Sequence, residues 1–315
     1  TFTAVNESSE PISTEITVTP TFTNGGVPCE GPSETFTITV NPEPQINNFS
    51  ETICNESTFS TVSPTDTANG DVVPEGTTYS WITPVSNPVN AITGGSAGTD
   101  QQSILGQTLF NETNSPATLT YTVTPTSAEG CVGTPFTVTI TVNPTGQVEP
   151  VSSQVVCNGD STTVDFTTDN TGGTTTYTWS NTGGVDINIG PGETVNDSNT
   201  DITFTAVNES SEPISTEITV TSTFTNGGVS CVGPSETFTI TVNPTAEVND
   251  PVDMIVCDDD VTSLVEFTTN NQGSVMTYSW TNDNPNIGLS TSGTAYLPSF
   301  TAINTGTEPI VAIVE

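Results

Sequence analysis

The sequence contains no lysine, arginine or histidine, while 36 of its 315 residues are acidic, which gives a formal net charge of −36. Without an imidazole or an amine, the chain cannot form a serine–histidine triad or a lysine Schiff base, because both need a proton carrier or a cation near neutral pH. Nucleic acid is excluded as a partner, because binding a polyanion requires basic side chains. We therefore expect no enzyme activity and no catalytic residue.

Long apolar runs are also missing, and none approaches the roughly 18 residues that a membrane-spanning helix needs. Threonine is abundant instead, with 65 residues, and it alternates with β-branched and aromatic residues in segments such as Thr35–Val40, Thr137–Val142 and Thr237–Val242. Alternation with a period of two places one face of a strand in a core and the other in water. No segment has helical periodicity, so the sequence predicts a folded, all-β chain.

The spacing of the internal repeats indicates the length of one domain. Residues 1–42 and 203–244 are identical at 39 of 42 positions, and a more diverged third copy ends at Pro144. The tripeptide Val-Asn-Pro ends at residues 42, 144 and 244, so the period is about 100 residues. That length is typical of a two-sheet sandwich with about seven strands, and we predict tandem immunoglobulin-like β-sandwich repeats that form an extended rod.

The Asn-Pro boundaries divide the chain into four segments. Residues 1–42 are the C-terminal part of one repeat, 43–144 and 145–244 are complete β-sandwich repeats, and 245–315 are the N-terminal part of a further repeat. A sandwich that lacks its last strands would expose an open edge, so the sequence is expected to be a window on a longer polymer. The first expected partners are therefore neighbouring repeats of the same long chain.

A Tyr-x-Trp motif occurs once in each of the segments 43–144, 145–244 and 245–315. Residues i and i+2 of a strand point to the same face, so both rings are expected to lie in the core. The predicted core residues are Tyr79, Trp81, Tyr177, Trp179, Tyr278 and Trp280.

Several longer phrases resemble a known family. These are Val156–Thr163, Gly172–Trp179, Thr223–Cys231 and Thr237–Pro244, which are similar to the tandem PKD-like repeats of giant Bacteroidota surface proteins, above all SprB-type gliding-motility adhesins. The resemblance covers the whole sequence. It implies a type IX-secreted filament at the cell surface, attached to the outer membrane, which a gliding motor carries and which contacts a surface polysaccharide or the substratum. Contact with the gliding machinery would lie outside this sequence. The alternative is a stalk or surface-layer protein with a purely structural spacer role.

Six cysteines fall two to a repeat, a pattern that predicts disulfides in a secreted β-rod. Pairing within a repeat is favoured, joining Cys54 to Cys131 and Cys157 to Cys231, with partners of Cys29 and Cys257 outside the sequence. Immunoglobulin topology would separate the two cysteines of a repeat by roughly 25 Å, which makes a bond between adjacent repeats, Cys54 to Cys231, geometrically easier. Pairing across the Asn-Pro linker and free thiols are further alternatives.

An acidic run near the last boundary raises the question of calcium. Asp258, Asp259 and Asp260 follow Cys257, and carboxylate oxygens are ligands that Ca²⁺ accepts. Their spacing matches no EF-hand loop, and the corresponding segments Cys54-Asn55-Glu56-Ser57 and Cys157-Asn158-Gly159-Asp160 do not repeat a constant set of ligands. A solvated acidic turn is favoured over a metal site, so no cofactor is expected and Ca²⁺ is the alternative.

Two tripeptides resemble the O-glycosylation acceptor of Bacteroidota secreted proteins, which is aspartate followed by serine or threonine and then a small or apolar residue. They are Asp66-Thr67-Ala68 and Asp160-Ser161-Thr162. Thr67 and Ser161 are candidate acceptors, with ordinary turn hydroxyls as the alternative interpretation.

Overall fold

The structure is a computed structural model that describes residues 1–190, 192–196 and 201–315, with the backbone alone for 192–196 and 201. All regular elements in these ranges are β-strands, apart from two short 3-10 turns at Ala68–Gly70 and Pro285–Ile287. No helix within them is long and apolar enough to cross a membrane. The all-β prediction is confirmed, and the strands form tandem β-sandwich repeats.

The first complete sandwich lies within residues 43–144. Its strands are β5 (Phe49–Cys54), β6 (Ser57–Thr58), β7 (Thr78–Trp81), β8 (Val85–Asn87), β9 (Ile92–Thr93), β10 (Gly98–Gln101), β11 (Thr108–Asn111), β12 (Ala117–Thr126) and β13 (Phe136–Asn143). One sheet has the order β10-β7-β12-β13-β5, with β8 also paired to β12, and the other has the order β6-β11-β9. Two packed sheets with this order are typical of immunoglobulin-like folds.

The first strand of this sandwich runs parallel to the last one. In β5, Phe49 is opposite Val138 and Cys54 is opposite Asn143, whereas all other strand pairs of the repeat are antiparallel. The pairing places Cys54 at the same end of the sandwich as the Asn-Pro boundary. Because Cys54 lies at this end of the β5–β13 pair, the neighbouring repeat that it can reach is the one that follows along the chain.

The second complete sandwich lies within residues 145–244. Its strands are β14 (Gln154–Cys157), β15 (Ser161–Asp165), β16 (Thr174–Asn181), β17 (Gly192–Asn196), β18 (Asp201–Thr205), β19 (Ile214–Asn226) and β20 (Val229–Asn243). One sheet has the order β14-β20-β19-β16-β17, and β15 pairs with β18. Again the first strand is parallel to the last, with Cys157 opposite Asn243. The long β19–β20 hairpin turns at Gly227-Gly228, where both residues have positive φ, as a two-residue turn between twisted strands requires.

Each complete sandwich has its own hydrophobic core. In the first, Trp81, Tyr121 and Ile140 are buried together, and in the second Trp179, Ile218 and Val242 are buried together. The two clusters share no residue, so each repeat buries its own apolar face.

The two flanking segments contain fewer strand pairs. Residues 1–42 form β1 (Ile12–Val18), β2 (Thr21–Asn24), β3 (Val27–Glu30) and β4 (Glu34–Val40), with β1 paired to β4 and β2 to β3. Residues 245–315 form β21 (Val265–Glu266), β22 (Ser279–Thr281), β23 (Ser292–Thr294) and β24 (Tyr296–Leu297), with β21 paired to β24 and β22 to β23. Around Trp280, Leu289 and Leu297 the last segment has a small core of its own.

Candidate functional site

The candidate site is the junction between the repeats 43–144 and 145–244. It begins at the boundary itself, where the chain leaves β13 through Asn143 and enters the next repeat through Thr145. The Asn143 carbonyl accepts a hydrogen bond from the Asn55 amide at 2.8 Å, and the Asn55 side chain donates to Thr145 Oγ1 at 3.3 Å. The turn after Cys54 is therefore fixed directly beside the boundary.

A disulfide crosses this junction. Cys54, at the end of β5, is bonded to Cys231 in the β19–β20 hairpin of the next repeat, with a Cα–Cα distance of 5.5 Å and a sequence separation of 177 residues. Cys231 is almost completely buried. The bond joins the bottom of one sandwich to the top of the next, so the repeats are connected twice, by the backbone and by sulfur. A structural disulfide is typical of proteins outside the reducing cytoplasm.

This pairing overturns the favoured prediction of bonds within each repeat. Cys131 lies in the turn between β12 and β13, where its carbonyl accepts from the Ser127 amide, whereas Cys54 is opposite Asn143 at the other end of β13. The seven steps from Phe136 to Asn143 span about 23 Å, far beyond disulfide reach. The same geometry keeps Cys157 from Cys231, and the bond between adjacent repeats, weighed as the alternative, is the one that forms. Within the described residues, Cys29, Cys131, Cys157 and Cys257 form no disulfide.

The tip of the β19–β20 hairpin also contacts the buried side chain of Asn143. Asn143 Nδ2 donates to the Asn226 carbonyl at 2.9 Å and to the Val229 carbonyl at 3.3 Å, and Asn226 Nδ2 donates back to Asn143 Oδ1 at 3.0 Å. Asn143 is 0% exposed. The asparagine of the Asn-Pro motif therefore recognises the backbone of the next repeat's turn, a role that the sequence analysis did not predict.

A second set of contacts joins the loop before β12 to the loop before β16. The Thr171 amide donates to the Asn114 carbonyl at 2.9 Å, the Ser115 and Thr171 hydroxyls are 2.6 Å apart, and Gly172 packs against Pro116. Because β16 is the neighbour of β19 in the sheet, these contacts extend the interface beside the hairpin that holds Cys231.

Part of this arrangement recurs at the next boundary. The Gln272 amide donates to the Ser211 carbonyl at 2.9 Å, and Gly273 packs against Pro213, matching the contacts of Thr171 and Gly172. Cys157 occupies the position of Cys54, because the Asn158 amide donates to the Asn243 carbonyl at 2.9 Å and the Asn158 side chain donates to Thr245 Oγ1 at 2.9 Å. Cys157 is exposed, and no hairpin covers it among the described residues.

The predicted aromatic pairs lie in the cores that support the junction. Tyr79, Trp81, Tyr177, Trp179 and Trp280 are buried, and Tyr278 is half-buried against Phe267. Burial raises the pKa of Tyr79 to about 12, with a further contribution from the Asp71 carboxylate, and burial also raises the pKa of Tyr121. The Trp81 indole donates to the Ser96 carbonyl at 2.9 Å, as the Trp280 indole does to the Tyr296 carbonyl at 3.0 Å.

The acidic run forms a turn held by its own hydrogen bonds. Asp260 Oδ2 accepts from the Cys257 amide at 3.0 Å, Asp258 Oδ1 accepts from the Asn304 amide at 2.7 Å, and Asp259 has a φ of 68°. No group of three or more acidic or cysteine side chains in the described ranges is placed to hold a metal ion. The candidate acceptors Thr67 and Ser161 are both exposed.

The family is shown by a sequence match to the two complete repeats. The family model of the PKD-like domain matches residues 51–146 and 154–246, which together are more than half of the chain. The chain belongs to the PKD-like domain family. The two matched ranges each contain one early and one late cysteine, and Cys54 lies in the first range and Cys231 in the second, so this PKD-like chain places its disulfide between domains.

A search of solved structures finds matches of low identity. They include a titin I-band fragment, I67–I69 (10% identity, 83% of this chain and 88% of that one, TM-score 0.35), and extracellular domains 3–5 of Drosophila OTK (10%, 85% and 92%, 0.29). Drosophila N-cadherin EC1-3 is a third (14%, 68% and 74%, 0.24). No curated protein matches the chain significantly.

Proposed function

We propose that this chain is the repeat region of a long cell-surface adhesin filament, which a bacterial gliding motor carries and which contacts the substratum. The observation that supports this function is the covalent junction between successive repeats. A disulfide from Cys54 to Cys231 adds a second covalent connection between two PKD-like domains, so tension can pass between them without pulling out the residues that the bond encloses. A filament that is pulled along a surface would extend less with such a connection.

The charge supports the same setting. With 36 carboxylates and no basic side chain, neighbouring filaments repel one another, and the repulsion acts over about 8 Å at physiological salt. Filaments on a crowded cell surface would stay separate. The proposed location is extracellular and attached to the outer membrane, with a surface polysaccharide or the substratum as the external partner. The gliding machinery would bind other parts of the protein.

The test is to follow the protein on living cells. A fluorescent Fab fragment against the 315-residue chain, applied to the bacterium that makes it, should give foci that travel along moving cells. Beads coated with the chain should adhere to the same substratum under flow. Beads coated with the Cys54→Ser/Cys231→Ser variant should detach at lower shear, because that variant keeps its exposed faces and its backbone but loses the disulfide that limits its extension.

Other outcomes distinguish the alternatives. If the foci on the cells stay fixed but the coated beads still adhere, the chain would be part of a surface adhesin that no gliding motor carries. Fixed foci together with no bead adhesion would contradict the adhesin function and indicate a stalk or surface-layer protein with a spacer role.

A further inference from the structure

We infer that the repeat 43–144 has a binding pocket for a single sugar unit with a free, positively charged amino group. The pocket lies beside Phe49, at the end of β5 opposite to Cys54. It gives a ligand class to the proposed contact with a surface polysaccharide, and it rests on that function only for the source of the sugar. Binding is measured on the purified chain, so it can fail while the tests on cells succeed.

The pocket has a volume of about 230 Å³. The buried side of its lining is apolar, since Val62 is 8% exposed and Ile46 and Phe49 are half-buried against the core of the repeat. Exposed polar residues surround its mouth, namely Asn47, Asn48, Thr61, Ser63, Thr65 and Asn69. Pockets for drug-sized ligands measure roughly 300–1,000 Å³, so this one suits a smaller molecule such as one sugar unit.

Asp71 supplies the charge of the pocket. The residue is 7% exposed, and its Oδ1 accepts a hydrogen bond from the Asn47 amide at 2.8 Å. Its Oδ2 accepts none from the residues that the structure describes. The sequence contains no lysine, arginine or histidine that could pair with this carboxylate. Because a carboxylate held away from water without a cationic partner is costly, a cation from outside the chain would bind here favourably.

A longer loop builds the pocket in this repeat. Trp81 follows Cys54 by 27 residues, whereas Trp179 follows Cys157 by only 22. The longer loop contains the 3-10 turn Ala68–Gly70, which contributes to the pocket lining. Loops that a rigid sandwich positions are common places for binding sites, so the added residues indicate a role that the second repeat lacks.

Hydrogen bonds fix this loop in one conformation. The Thr67 amide donates to the Asp71 carbonyl at 2.9 Å, and the Val73 amide donates to Asp66 Oδ1 at 3.0 Å. Thr67 has a φ of 64° and Asn69 a φ of 56°, and positive φ is unusual for a β-branched residue such as threonine. Strained backbone of this kind clusters at binding sites. A mouth that is already ordered loses less entropy when a ligand enters.

The polar groups of the pocket match an amino sugar better than a neutral sugar or a simple amine. The amino group would donate to Asp71 Oδ2. Asn48 Oδ1 accepts from the Thr137 amide at 2.8 Å, which leaves Asn48 Nδ2 to donate to a ring hydroxyl, and the Asn69 side chain is exposed for a second one. The apolar face of the ring would lie on Phe49. A neutral sugar would leave Asp71 unpaired, and a simple amine would leave both amides unused.

The experiment titrates the isotope-labelled 315-residue chain with D-glucosamine, at about pH 6 and about 150 mM salt to screen weak attraction to the acidic surface. Backbone amide signals of Asn47, Asn69 and Asp71 should shift and saturate. D-glucose and N-acetyl-D-glucosamine, which lack the charge, should bind about tenfold or more weakly. Nα-acetyl-lysine amide, which has the ammonium group without the sugar ring, should also bind about tenfold or more weakly.

Two variants localise the binding. Asp71→Asn should weaken glucosamine binding about tenfold or more and abolish the preference over glucose. It should fold, because an asparagine oxygen can accept the same backbone hydrogen bond, as Asn170 Oδ1 does from the Gln147 amide at 2.8 Å in the second repeat. Asp66→Asn is the matched control. It removes one carboxylate from the same loop but outside the pocket lining, and should bind within about twofold of the parent.

Several results would overturn the inference. Equal losses in the two variants, or shifts spread over the whole surface, would mean that the acidic chain attracts amines without a site. Equal binding of glucosamine and glucose would contradict the role of Asp71. Tighter binding of the lysine derivative would assign the pocket to a side chain of a protein partner. The absence of a saturable shift with every sugar would exclude the site altogether.

Discussion

At the scale of single residues, Asn143 is the side chain most specific to the junction. It is buried and makes three hydrogen bonds with the turn of the next repeat, whereas the corresponding Asn243 is only half-buried. Asn143→Ala removes the hydrogen bonds to two carbonyl groups and one side-chain amide of the half-buried residues Asn226 and Val229. We expect it to lower the free energy of unfolding by about 1–3 kcal/mol.

Asn243→Ala is the matched control for this prediction. It removes the same side chain from the same motif at the next boundary, where no hairpin contacts it among the described residues, so its cost should stay below about 0.5 kcal/mol. Urea titration of both variants measures the difference. Equal costs would show that Asn143 contributes only to its own strand and not to the joint.

The buried tyrosines predict a loss of stability at high pH. The pKa of Tyr79 is about 12 in the folded repeat, and that of Tyr121 is also raised, whereas an unfolded tyrosine ionises near pH 10. Between these values the folded state retains protons that the unfolded state loses. Stability of the first repeat is therefore complete below about pH 10 and falls as pH rises toward 12, by up to about 1.4 kcal/mol per pH unit for each tyrosine.

Tyr79→Phe tests this dependence, because the Tyr79 hydroxyl is buried without a hydrogen-bond partner among the described residues. The variant should match the parent at pH 7 and show a weaker slope between pH 10 and 12. Circular dichroism during denaturant titration at each pH provides the measurement. An unchanged slope would mean that Tyr79 ionises equally in both states.

At the scale of strands, the hydrophobic pattern predicted the elements better than their partners. The alternating segment Thr137–Val142 lies inside β13, and Thr237–Val242 lies inside β20, because alternation with a period of two describes a half-buried strand completely. The alternating pattern does not predict which cysteines form a disulfide. Cys54 meets Cys231 because β5 is parallel to β13 and one sandwich follows another end to end, and neither relation is local in sequence.

The functional roles of single polar residues could not be predicted from the sequence either. Asn143 belongs to a motif that could be seen only as a boundary with a proline, since nothing in one sequence marks an asparagine that binds a turn about 80 residues further on. The repeat period did provide one signal. Early and late cysteines that recur once per repeat allow bonding between repeats as well as within them, and only the direction of the strands decides between these pairings.

At the start of the second sandwich, the segment before β14 and strand β20 touch through glycine. A Cβ on Gly233 in β20 would collide with the Gly146 carbonyl, and the Gly146 amide donates to the Cys231 carbonyl at 3.2 Å. We expect Gly233→Ala to destabilise the second repeat by about 1–3 kcal/mol, because the obstacle is backbone and cannot rotate away. Thermal unfolding measures the change.

Ser235→Ala provides the control on the same strand. Its hydroxyl is exposed and contacts only Thr221 in the neighbouring strand, at 2.6 Å, so the cost should stay within about 0.5 kcal/mol. A Gly233→Ala variant as stable as Ser235→Ala would show that the linker can shift to accept a side chain.

At the scale of the whole molecule, the disulfide limits how far the chain can extend. It spans 177 residues, which would add about 600 Å of length if they were pulled straight. In a single-molecule force measurement on the oxidised chain, these residues should not contribute to the final length. Reduction, or Cys54→Ser, should restore the missing length. Cys157→Ser removes a thiol without removing the bond and should behave like the parent, and a parent that reaches full length while oxidised would contradict the prediction.

The size of the loop closed by the disulfide also determines how the chain responds to cutting by proteases. Because the bond from Cys54 to Cys231 closes a loop longer than a repeat, hydrolysis of any one peptide bond between residues 55 and 230 leaves both fragments joined. Limited digestion with a glutamate-specific protease should cut the exposed loop at Glu209 and Glu212. A chain cut only in this loop should migrate as an intact chain without reductant and as two large fragments with it, whereas the same cut in Cys231→Ser should separate the fragments in both conditions. A surface protein built in this way would remain attached after a cut that would sever an ordinary string of domains.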